Sequence, residues 1–173
     1  MRLPHAPLRA ARVVTAMAVA AALLGACGSG SSTKSVRDVP FTGADGKSAT
    51  IGDFDGTPLV VNMWATWCKP CVHEMPAFDE VANEQTGVQI IGVNIFDTAD
   101  DARAFAADLG VHYPQYTDPD GALSTALDVS GYPATAFFDA DGKLLELHQG
   151  QLTADELRSS IARLYPSATT EGT

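Results

Sequence analysis

The sequence predicts an α/β domain, a central mixed β-sheet flanked by helices and preceded by an N-terminal β-hairpin. Three observations carry this. The short apolar runs at 58–64 and 88–94 have the composition of strands buried on both faces. Between them Val72, Met75, Phe78, Val81 and Ala82 recur at steps of three and four, the period of an amphipathic helix. A closing hairpin and a capped helix then complete an α/β sandwich. The 173 residues, 46% hydrophobic and 18% charged, suffice for one domain with its own core and argue against global disorder.

At the N-terminus, Arg2, Arg9 and Arg12 precede an apolar run at 13–24, 12 residues without a charge. A membrane span needs about 20 apolar residues, so the run has the proportions of an export signal and residues 1–26 are read as one. Leu24-Gly25-Ala26-Cys27 resembles the bacterial lipobox, in which cleavage precedes a cysteine that carries a diacylglyceryl anchor. An ordinary secretory signal with a cysteine beside its cleavage site is the alternative. Residues 27–35, rich in glycine and serine, read as a flexible tether. The precursor's net charge is −10; without Arg2, Arg9 and Arg12 the 147 residues from Cys27 hold 8 basic against 21 acidic side chains, a net −13. Such acidity repels nucleic-acid phosphates and keeps the domain off an anionic lipid surface.

The domain proper is read as residues 36–165. Residues 39–41 and 48–51 form the first hairpin around Asp45-Gly46-Lys47. Strand 58–64, helix 70–85 with Pro76 as a kink, and strand 88–94 follow as a parallel crossover. Thr98 and Asp101 make a box-like start to another helix, with Phe105 and Leu109 on its apolar side. Residues 134–139 and 143–148 form a second hairpin around Asp141-Gly142. Thr153 and Glu156 cap a last helix whose buried stripe is Leu157, Ile161 and Leu164. Residues 166–173 read as a disordered tail. The acids at Asp97, Asp100, Asp101, Asp118 and Asp120 read as helix-start and turn residues, and His112 and His148 as ordinary loop or hairpin residues.

The chemistry lies in Trp67-Cys68-Lys69-Pro70-Cys71, where the first central strand hands over to its helix. Cysteines at i and i+3 in a first helical turn bring their sulfurs within pairing distance, and the helix N-terminus supplies free amides and a positive dipole end. That placement favours Cys68 as the nucleophilic thiolate and Cys71 as the resolving thiol. Pro70 suits an early helical position, where its missing N–H has no partner to lose. Lys69 adds positive charge that tunes the pair toward the thiolate. Structural zinc takes four ligands, and His73, His112 and His148 supply no second paired motif, so no metal is expected. A structural disulfide is a further alternative, although so small a loop stabilises little.

These residues, with 60–71 as a whole, Glu74-Met75-Pro76 and Gly131-Tyr132-Pro133-Ala134-Thr135, resemble the thioredoxin superfamily, and more closely its TlpA and ResA type of membrane-anchored thiol-disulfide oxidoreductase. The resemblance implies a thioredoxin-like fold over nearly the whole domain. It implies that Pro133 is cis and faces the cysteine pair, and that Tyr132 and Trp67 meet the substrate peptide. It also implies that Glu74, one turn beyond Cys71 on the same face, acts as the acid-base group. Asn62 stands where thioredoxins carry a buried aspartate and cannot take up a proton. Tyr132 replaces a usually smaller or β-branched residue.

The resemblance further implies protein thiols and disulfides as substrates, the Cys68–Cys71 pair as the only redox group with no added cofactor, and recharging by a membrane electron-transfer protein. It favours a reductase, with the haem-attachment cysteines of apocytochrome c as one target. An oxidase of exported folding proteins and a non-catalytic binding lipoprotein are the alternatives; a peroxidase lacks its Pro-x-x-x-Thr/Ser-x-x-Cys setting here. The expected state is a monomer, lipid-anchored on the outer face of a bacterial cytoplasmic membrane.

Overall fold

The computed structural model describes residues 35–84 and 87–166; the leader with Cys27, all of the tether but Ser35, and the tail from 167 lie outside the described residues. Seven strands form one sheet in the spatial order β2-β1-β5-β4-β3-β6-β7. They are β1 (Phe41–Gly43), β2 (Ser48–Ala49), β3 (Leu59–Trp64), β4 (Gln89–Ile95), β5 (Gln115–Asp118), β6 (Ala134–Phe138) and β7 (Leu144–Gln149). The helices are α1 (Lys69–Glu84), α2 (Ala99–Asp108), α3 (Ala122–Ala126) and α4 (Ala154–Leu164). β3, β4 and β5 run parallel, and the outer pairs are antiparallel, so the sheet is mixed.

Alternation along β3 sorts the core into two layers. Val60 and Trp64 point into the layer shared with Met75, Phe78 and Val81 of α1, Ala102 and Ala106 of α2, and Leu157 and Ile161 of α4. Leu59, Val61 and Met63 point to the opposite layer, closed by Ile51, Leu123 and Leu127. All six residues of β3 are buried, which is why the sequence there is a continuous apolar run rather than an alternating one. Asn62 is the one polar side chain in that run, and it faces the α1 layer.

Several elements differ from the sequence reading. The first hairpin ends at Ala49, and residues 51–54 turn into a 3₁₀ segment whose capping box joins Thr50 and Asp53. β5 has no counterpart in that reading, because its Gln115-Tyr116-Thr117-Asp118 lacks an apolar run, and neither has the five-residue α3. On α2 the deepest residues are Ala102 and Ala106, with Phe105 and Leu109 flanking them; small side chains let this helix sit close to the sheet. Pro76 lies inside α1, as the sequence reading places it. The caps at Thr98 and Thr153 form as expected, each accepting the third helical N–H.

Candidate active site

The cysteine pair sits at the junction of β3 and α1. Cys68 and Cys71 are joined by a disulfide, S–S 1.97 Å, and both are buried. The Cys71 N–H donates to Cys68 Sγ at 3.3 Å, so a first-turn amide of α1 points at the Cys68 sulfur, a placement that favours a thiolate there. Lys69 and Pro70 occupy the exposed first two positions of α1. The Tyr132–Pro133 bond is cis. Tyr132 meets Trp67 edge to face at 6.1 Å, which brings the proline loop against the cysteine loop. Trp67 is exposed, whereas Trp64 is core, its indole N–H donating to Gln115 Oε1 at 2.9 Å. Gly92 makes this possible: a Cβ there would lie 2.1 Å from the same Gln115 oxygen.

Glu74 is 1% exposed on the turn of α1 after Cys71 and faces the same layer. Asn62 Nδ2 donates to Glu74 Oε1 at 2.7 Å, and the Leu152 N–H donates to Oε2 at 2.9 Å. The Tyr113 hydroxyl donates to Asn62 Oδ1 at 3.0 Å, which fixes the amide with its N–H groups toward the carboxylate. Burial raises the Glu74 pKa to about 7, against the opposing pull of the Leu152 and Asn62 hydrogen bonds. A carboxyl poised there can exchange a proton near neutral pH. Asn62, standing where thioredoxins carry the aspartate, thus donates to this buried carboxyl. Tyr113 stays a protonated donor because burial pushes its pKa up.

A second cluster holds the cysteine loop from outside. Asp97 accepts from the Thr66 N–H at 2.8 Å, the Thr66 hydroxyl at 2.9 Å and Asn94 Nδ2 at 2.8 Å. Thr66 is two residues before Cys68, so Asp97 ties the segment just past β4 to the loop that carries Cys68. Sequence reasoning assigns Asp97 only a helix-start role and misses this one. The signal lies in the parallel pairing: Trp64 is beside Asn94 in register, so the residues just past the two strand ends must adjoin. Asp118 does keep the helix-start role, accepting from the Ala122 and Leu123 N–H groups. Among the described residues no cluster of His, Cys, Asp or Glu is arranged to hold a metal ion.

Comparison with known proteins agrees with this geometry. The pattern of the Redoxin family matches residues 29–164. The chain is 28% identical to the thiol-disulfide oxidoreductase ResA of Geobacillus thermodenitrificans over 75% of each chain. It is 36% identical to the thiol:disulfide interchange protein HelX of Rhodobacter capsulatus over 72% of this chain and 66% of that one. Among solved structures, MTB DsbF, determined in mixed oxidised and reduced forms, superposes with a TM-score of 0.69 at 27% identity, covering 75% of this chain and 97% of that one.

Proposed function

Because the chain belongs to the Redoxin family and is a thiol-disulfide oxidoreductase of the ResA, DsbE and HelX type, we propose the narrower role of a protein-disulfide reductase that works outside the cytoplasm on a lipid anchor at Cys27. The observation that carries the chemistry is the Cys68–Cys71 disulfide at the start of α1, with Glu74 buried on the next turn. In the reduced enzyme, the Cys68 thiolate attacks one sulfur of a substrate disulfide, and the first substrate thiolate leaves and takes a proton from solvent. Glu74 accepts the Cys71 proton as the Cys71 sulfur attacks Cys68 Sγ, and the second substrate thiolate leaves. Two electrons pass to the substrate, and the enzyme is left with its disulfide. A membrane electron-transfer protein returns it to the dithiol.

The TlpA and ResA resemblance favours reduction, and apocytochrome c cysteines awaiting haem are the proposed substrate. Cys71→Ser should trap the substrate on Cys68, identifying it by mass spectrometry. A reduction potential near about −270 mV supports the reductase role, and one near about −120 mV reverses it in favour of an oxidase. A protein that neither reduces insulin disulfides nor traps any partner is a binding lipoprotein instead.

A further inference from the structure

Phe96, just past β4, holds a conformation that its side chain does not favour. Its backbone is left-handed, φ 70°, a region bulky L residues rarely enter. The residue is 53% exposed, so core packing does not account for it. The ring lies against Gly121, where a Cβ would come within 2.4 Å of it. It meets the Tyr132 ring in a T-shaped contact, with centroids 6.2 Å apart and planes at 86°. Tyr132 is in turn fixed by its hydroxyl, which donates to Ser124 Oγ at 2.7 Å.

The contacts join three rings through Tyr132. Trp67, 60% exposed, precedes Cys68, Tyr132 precedes cis-Pro133, and Phe96 is the second aromatic ring in contact with Tyr132. The two centroid steps are 6.1 and 6.2 Å. Side chains on one face of an extended chain repeat at about 6.7 Å, so a strand laid beside the cysteine pair can set alternate residues against successive rings. Strained, exposed residues of this kind concentrate at ligand-binding surfaces, where the surrounding structure holds them.

We propose that Phe96 is a specificity-determining residue, which with Trp67 and Tyr132 selects extended cysteine-bearing segments that carry aromatic or large aliphatic residues at alternate positions beside the cysteine. The proposal rests on the reading of Cys68 and Cys71 as an exchange pair. The test uses two synthetic peptides, each a mixed disulfide with glutathione, with Phe or Ser two residues from the cysteine on both sides. The reduced full-length protein favours the Phe peptide in kcat/KM by about tenfold, and Phe96→Ser brings that ratio near one. Leu145→Ser, which removes an exposed side chain on β7 away from these rings, keeps the ratio. Phe96→Gly also loses the preference, yet its melting temperature equals or exceeds that of the wild type, because glycine suits the left-handed backbone.

A wild type that reduces both peptides equally overturns the proposal. So does a Phe96→Ser variant that keeps the preference, or a Phe96→Gly variant that melts lower and loses both activities alike. A wild type that reduces neither peptide overturns the exchange reading itself.

Discussion

Replacing Glu74 with glutamine tests the buried acid directly. Glu74 is 1% exposed, and its pKa moves from 4.5 to about 7. A carboxyl whose folded pKa lies above its unfolded value stabilises the fold in its protonated form. That contribution is complete below the unfolded pKa and is lost as pH rises through about 7. The full displacement is worth about 3 kcal/mol at about 1.4 kcal/mol per pH unit. Between pH 5 and pH 8 the expected loss is about 2.5 kcal/mol, since the unfolded chain is already partly ionised at pH 5. The amide introduced by Glu74→Gln cannot ionise. It turns a donor toward the Leu152 N–H, at a cost of about 1–3 kcal/mol, but that cost is the same at both pH values and cancels.

Urea unfolding of the oxidised proteins at pH 5 and pH 8 measures the difference. The stability of Glu74→Gln relative to wild type should rise by about 2.5 kcal/mol between the two pH values, every other titrating group being common to both. A relative stability that stays constant would refute the assignment of a raised pKa to Glu74. In the reduced proteins the same change should slow resolution of the mixed disulfide by about 10² and remove an inflection near pH 7 from its rate profile.

Asn62→Ala removes a donor to the ionised carboxylate, so the Glu74 pKa should climb above about 7 and carry the kinetic inflection upward with it; an unmoved inflection would show that the amide does not tune the acid. Asp97→Ala leaves the Thr66 N–H, the Thr66 hydroxyl and Asn94 Nδ2 without their acceptor, and should cost about 1–3 kcal/mol in urea unfolding while increasing hydrogen exchange at Thr66 and Trp67. Gly92→Ala drives Gln115 off the Trp64 indole and should cost a similar amount, about 1–3 kcal/mol, with a shift in the near-ultraviolet circular dichroism of the buried tryptophan.

The divide between what the sequence disclosed and what it hid follows from the range of the interactions. β3, α1 and β4 were legible because their signals are local: a continuous apolar run is forced by burial on both faces, and a three-and-four period by burial of one helical stripe. The cysteine pair was legible for the same reason, since helical spacing puts i+3 neighbours on one face, and the same spacing joined to the family resemblance singled out Glu74. β5 was not, because a polar tetrapeptide becomes a strand only when β4 and β1 pair with it on both sides. The groups that govern the proton and the loop were hidden in the same way. Tyr113 reaches Asn62 across 51 residues and Leu152 reaches Glu74 across 78. Such pairings exist only once the sheet is assembled, so the acid could be located from the sequence but its working pKa could not. Hence Asn62→Ala and Asp97→Ala, which leave Glu74 itself in place, are the variants that separate the chemistry of the CxxC motif from the tuning this particular fold adds to it.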